Sequence, residues 1–169
     1  MTRNFRSESG ITLIETTIAA SILLIAMLGL LSMGALATRF TENHGHLEAR
    51  TTEYAQDKME QLLALAYTDS ASNTVVFPAT ASGGTGLTIG GSVNTSAPVN
   101  GYVDWLGADG SLLGGGTTQP AAWQYQRVWL VESPSTGIKR ITVLSRVRIA
   151  VGNALPPQST VVAVKAAQF

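Results

Sequence analysis

Apolar and polar positions follow three different spacings along this chain. From Ile18 to Ala37 no residue carries a charge, and at 1.5 Å per residue such a helix covers about 30 Å, the thickness of a bilayer's hydrocarbon core. Beyond it Phe40, Leu47, Thr51, Ala55, Met59, Leu62 and Ala66 recur at intervals of three, four or seven, with Leu63 beside them. At 100° per residue these positions form one stripe. Glu42, Glu48, Arg50, Glu53, Asp57, Lys58 and Glu60 lie between them, which makes this half amphipathic. The pattern predicts one helix from Ile11 to Tyr67, about 85 Å long, stopped by Thr68, Asp69, Ser70, Ser72 and Asn73.

The rest of the chain changes period. Residues 68–100 have the composition of a loop, rich in Ser, Thr, Gly and Ala, with short strands expected at Val75–Phe77 and Leu87–Ile89. Tyr102–Leu106 and Ser111–Leu113 flank Asp109 and Gly110, a pair that favours a tight hairpin, and Gly114 to Gly116 reads as another loop. Trp123–Val131 and Ile138–Ala150 enclose a turn sequence, Ser133 to Gly137, and a last strand is expected at Thr160–Lys165. In the second of these Ile141, Val143, Val147 and Ile149 alternate with Thr142, Leu144, Arg146 and Arg148, one face for a core and one mostly for water. The fold class is therefore α+β: a long N-terminal helix packed on a C-terminal antiparallel sheet of three or four strands. The divisions are a leader (1–10), an apolar membrane helix (11–37), an amphipathic helix (38–67) and a β-sheet head (68–169).

One carboxylate, Glu15, stands at the start of the apolar run. Burying it ionised is costly, so it needs protonation, an interfacial position or a cationic partner. Together Gly10, Ile11, Thr12, Leu13, Ile14 and Glu15 resemble the cleavage motif of type IV prepilins and type II secretion pseudopilins. The resemblance implies that a membrane-embedded prepilin peptidase cuts between Gly10 and Ile11, that the new Ile11 amine is methylated, and that Glu15 complements the terminal ammonium of a neighbouring subunit during assembly. A carboxylate and an ammonium in low dielectric relieve each other's desolvation. Where the family most often has phenylalanine this chain has Ile11, and its first proline is Pro78. Any local unwinding of the apolar helix would therefore centre on Gly29 and Gly34. Residues Ala55 to Leu62 loosely resemble the helix of the PilV class of minor pilins, and next the GspI class of minor pseudopilins. The implied partners are prepilin peptidase, other pilin or pseudopilin subunits and the bacterial inner membrane. The implied role is that of a minor filament subunit with its head in the periplasm; the alternatives are a minor pseudopilin and a single-span membrane protein with a periplasmic binding head.

Composition narrows the remaining classes. The 169 residues carry 11 Lys plus Arg and 11 Asp plus Glu, a balance that gives no reason to expect a nucleic-acid partner. There is no cysteine, which excludes disulfides, thiolate metal sites and cysteine nucleophiles. Arg3 and Arg6 in the leader place the N-terminus in the cytoplasm by the positive-inside rule. A secretory signal cut near Ala35 to Ala37 would leave the Gly10 to Glu15 motif unexplained.

No motif points to an enzyme, a metal or a cofactor. His44 and His46 are two apart and so point about 200° from each other on a helix, unsuited to one ion. The glycine-rich stretches Gly83 to Gly91 and Gly114 to Gly116 lack the lysine of a phosphate loop. Asn94, Thr95 and Ser96 match a glycosylation sequon. Trp123, Tyr125 and Trp129, with Arg127 among them, share one strand face by period and read as packing, or as a ligand platform. Acidic residues dominate from Thr38 to Asp69 and basic ones from Trp123 onward, read as two solvated faces, as Lys139, Arg140, Arg146 and Arg148 meeting a neighbour's acidic helix, or as four cations that begin to supply the phosphate contacts of weak DNA binding.

Overall fold

A computed structural model describes residues 12–76, 78–150 and 155–167; the leader, Gly10, Ile11 and Phe77 lie outside them. A single helix, α1 (Leu13–Ala64), precedes six strands, and the chain divides into two compact units, Met1–Thr41 and Glu42–Phe169.

In the first unit α1 begins at Thr12, whose carbonyl accepts the N–H of Glu15 (3.0 Å) and of Thr16 (3.2 Å) and whose Oγ1 accepts the N–H of Glu15 at 3.4 Å. This is an N-cap with a carboxylate at the favourable, positive end of the helix dipole. Every side chain from Thr12 to Thr41 is exposed, the leucines and isoleucines included. The few hydroxyls bond backward within the helix: Thr17 and Thr16 to Leu13 O, Ser21 to Thr17 O, Ser32 to Gly29 O, Thr38 to Gly34 O. Such bonds leave no polar donor needing water, the condition for a helix in hydrocarbon. The segment is long and apolar enough to cross a membrane. It is helical through Gly29 and Gly34.

In the second unit the sheet has the order β3-β2-β4-β5-β6, all neighbours antiparallel, with β1 beside β4. The strands are β1 (Gly90–Gly91), β2 (Val103–Leu106), β3 (Leu112–Gly115), β4 (Tyr125–Ser135), β5 (Ile138–Val147) and β6 (Gln158–Ala166). Thr51, Tyr54, Ala55, Lys58, Met59 and Leu62 bury one helix stripe. Against it Ala55, Met59 and Leu62 join Trp129, Val131, Ile141 and Val143 in one core, and Tyr54 joins Leu106, Tyr125 and Val147 in another. Tyr54 and Tyr125 meet edge to face at 4.8 Å. The opposite sheet face carries its own cluster, Val103, Trp105, Trp123 and Val128 with Leu144. That face is thus half apolar and covered, where alternation predicted mostly water.

The α+β class stands; several boundaries move. The helix ends at Ala64, three residues before Tyr67, because the chain turns where Leu65 N–H bonds Leu62 O and Asp69 N–H bonds Ala66 O. The Asp69 carboxylate then holds the N–H groups of Ala71 and Ser72. The sheet has six strands, not three or four. Val75 and Val76 form no strand, and in place of Leu87–Ile89 the pairing falls on Gly90 and Gly91. A side chain at Gly91, where φ is +88°, would collide with the Trp129 carbonyl and the Tyr102 ring, so only glycine lets β1 approach β4. Gly114 and Gly115, expected in a loop, complete β3. Strand β4 continues through Ser133 to Ser135, leaving a two-residue turn at Thr136 and Gly137; the ladder is irregular between Glu132 and Ser135, where Pro134 has no N–H to give.

Two glycines give opposite expectations. Gly110 has φ +83°, and an added Cβ would sit 2.7 Å from Tyr54 Oη, whereas nothing lies within 4 Å of a Cβ at the helical Gly45. Gly110→Ala is expected to destabilise the head by about 1–2 kcal/mol or more, and Gly45→Ala to stabilise it by up to about 1 kcal/mol. Thermal unfolding of the full chain in detergent, followed by near-ultraviolet circular dichroism of the buried tryptophans, measures both.

Candidate functional site

Two places in the chain concentrate charge where the surroundings are apolar. The first is Glu15, in the first turn of α1 and exposed, with Ile14 and Ile18 around it. Gly10 and Ile11, the expected cleavage and methylation positions, lie outside the described residues. The backbone N–H of Glu15 is held by the Thr12 hydroxyl, so Thr12 caps the helix and the Glu15 carboxylate stays exposed.

The second lies at the seam between α1 and the sheet. Lys58 and Asp104 are both fully buried, with Nζ 2.9 Å from Oδ2. On the other side of that carboxylate Arg127, 3% exposed, donates from Nε to Oδ1 at 2.7 Å and from Nη2 to Oδ2 at 2.9 Å. Its Nη1 reaches Asp57 Oδ2 at 2.7 Å, and Asp57 is half exposed. Lys58 also donates to the carbonyl of Thr74 and stands 4.1 Å over the Trp129 ring. Two cations from helix and sheet therefore enclose one buried anion, and a second anion at the rim balances them. Burial alone would raise the Asp104 carboxyl, but the adjacent Lys58 and Arg127 charges outweigh it and hold Asp104 below the usual carboxylate range.

Sequence reading missed this group. Asp57 and Lys58 look like members of a solvated stripe, and Asp104 is a lone acid in a strand. The one available signal was that Lys58 falls within the arc from Thr51 to Leu62 that faces the core. The expected aromatic row also divides: Tyr125, Arg127 and Trp129 face the helix, while Trp123 lies before β4, packs on Trp105 at 4.9 Å and belongs to the opposite face. The row is packing, with Arg127 tied into the ion group.

The basic residues of the sheet are bonded within the head. Lys139 donates to Tyr67 O and Leu87 O, Arg140 pairs with Glu132 at 2.8 Å, Arg146 holds Gln126 and Arg148 bonds Ala121 O and Trp123 O. His44 pairs with Glu48 at 3.3 Å. Among the described residues no three metal-ligating side chains come together. Asn94 is exposed in a turn, its Oδ1 accepting the Ser96 N–H.

No protein family, curated protein or solved structure matches the chain.

The seam predicts an ordered set of stabilities. Asp104→Asn leaves two buried cations facing a neutral amide and is expected to cost on the order of 3–5 kcal/mol; Lys58→Met, which leaves Arg127 to balance Asp104, is expected to cost less. Because the folded Asp104 carboxyl sits below its unfolded value, its contribution is complete above the unfolded range and is lost as pH falls through the folded one. Denaturant unfolding of the full chain between neutral and strongly acidic pH should therefore show a decline that Asp104→Asn flattens.

Proposed function

We propose that this chain is a structural, non-enzymatic subunit of a type IV pilus-like filament, a minor pilin made as a precursor, inserted in the bacterial inner membrane and assembled through its N-terminal helix. The observation that carries the reading is the division of α1: its first part exposes apolar side chains on every side, and its second part is docked on a sheet. Leu13, Ile18, Leu24 and Leu31, exposed at 85%, 56%, 62% and 69%, would in water each forfeit more than half of the about 1.5–3 kcal/mol that full burial supplies. Lipid covers such a surface in a precursor, and neighbouring helices cover it in a filament. The same cover that shelters the leucines makes an unpaired Glu15 expensive, and an ammonium at Ile11 of a neighbouring subunit, released by cleavage after Gly10, would satisfy it. Prepilin peptidase and other pilin subunits are the partners this reading requires, and it gives no role to nucleic acid.

The first test is processing. Gly10→Val places a branched side chain at the junction the peptidase must reach, and the expected result is full-length precursor in the membrane, seen by intact mass. Wild-type processing of that variant removes the assignment.

The second test concerns assembly, since the Thr12 cap holds a backbone N–H that Glu15→Ala retains. Glu15→Ala should be cleaved after Gly10 and accumulate in the membrane while its share in sheared filaments falls at least about tenfold, the consequence of losing some 1.4 kcal/mol or more from a sequestered ion pair. Normal incorporation would withdraw the assembly role of Glu15.

A further inference from the structure

The apolar run of α1 ends at Ala37, and the first apolar side chain of the helix that packs into the head's clusters is Leu47. Between them lies the stretch Thr38 to His46, and the boundary between the two compact units, after Thr41, falls inside it. Arg39 and Glu42 are its only good helix formers; Thr38, Thr41, Asn43, His44 and His46 rank below them and Gly45 lowest. The docked part of the helix is the reverse, with Ala55, Gln56, Met59, Gln61 and Leu62 among its members. Helices in proteins owe most of their stability to burying one face, and no residue from Thr38 to His46 is buried. Even Phe40 is 47% exposed. The hydroxyls of Thr38 and Thr41 bond the carbonyls of Gly34 and Ala37, each at 3.0 Å, where they share the acceptor with a helical N–H and so weaken the ladder. The pair that begins in the stretch, His44 with Glu48, lies at the surface, where such pairs contribute little.

We infer that α1 opens between Thr38 and His46, so that its apolar half and its docked half are joined by a hinge. The helix is closed there in the structure, but little holds it closed. Opening this stretch exchanges helical hydrogen bonds for bonds to water, pulls no side chain out of a core and leaves every ion pair of the seam intact. On either side the cost rises. Within the apolar run, opening at Gly29 or Gly34 would free peptide groups in hydrocarbon, where nothing replaces their bonds. From Thr51 onward it would draw Tyr54, Ala55, Met59 and Leu62 out of the head. Glycine alone therefore does not locate the hinge: Gly29, Gly34 and Gly45 all have open space around them, and Gly45 is the one with weak helix formers on both sides and no apolar cover. A hinge at this place lets the surroundings of the apolar half change while the seam stays fixed, which is what passage from lipid to filament requires; that use rests on the reading proposed above.

The test is amide hydrogen exchange, read residue by residue on the full chain in detergent micelles, which cover the apolar run. The amides from Glu42 to His46 are expected to exchange at least about tenfold faster than those of Gln56, Asp57 and Glu60. Those three side chains are exposed as well, so the comparison separates opening of the helix from mere contact with water. The double variant Asn43→Ala/Gly45→Ala raises helix propensity at two exposed positions and should slow exchange from Glu42 to His46 about tenfold. Equal protection in the two stretches, or no slowing in the double variant, overturns the inference. Fast exchange that continues from Thr51 to Leu62 means that the helix leaves the sheet as a whole, and exchange fastest around Gly29 and Gly34 places the opening in the apolar run; either result overturns it too. Exchange reads the hinge whether or not the chain enters filaments, and cleavage after Gly10 reads the filament assignment, so failure of one is distinguishable from failure of the other.

Discussion

A carboxylate with no access to water must be neutralised by its neighbours, and in this protein Asp104 is that carboxylate. Its two cations come from different elements, Lys58 from the helix and Arg127 from β4. Only one register of helix on sheet brings both to it, because sliding the helix by one turn, about 5.4 Å, would strand Asp104 beside a single cation. Apolar side chains tolerate such slippage far better, since leucine packs against many surfaces with similar energy. The ion group therefore supplies uniqueness, while Trp129, Leu62, Ile141 and Val143 around it supply the greater part of the burial.

That division of labour bears on the proposed function. In the reading proposed above the docked half of α1 has to stay fixed to the head, and the seam where it meets the sheet does this. Tyr54 on Tyr125, Arg127 on Asp57 and Lys58 over Trp129 bind helix to head at successive turns. Removing Asp104 leaves Lys58 and Arg127 facing each other in low dielectric without their shared anion, which makes the seam cooperative.

The loops show a related economy. Asp69 takes the N–H groups of Ala71 and Ser72 just past the helix, and Lys139 bonds the carbonyls of Tyr67 and Leu87 from the sheet. A segment that sends Leu87 into the core is further fastened by a few side-chain bonds to backbone groups that no strand or helix claims.

The chain by itself determined whatever depends on neighbours a few residues away. An uncharged apolar run implies a helix needing lipid or other helices, a three-and-four spacing implies one buried stripe, and an Asp-Gly pair implies a tight turn; all of these are local, and α1, the main strand pairs and the α+β class follow. Glu15 stands out in the sequence for the same reason, being a charge out of place in an apolar context. Tertiary structure decided what depends on residues far apart. Gly90, Gly91, Gly114 and Gly115 are strand residues because another backbone or side chain approaches them closely, which composition cannot convey. Lys58, Asp104 and Arg127 look like solvated charges until folding brings residues 46 and 23 positions apart within 3 Å of one another. The place of β6 at the end of the sheet is likewise a property of strand order: a strand's sequence says how it alternates, and only the sheet says which strand lies beside it.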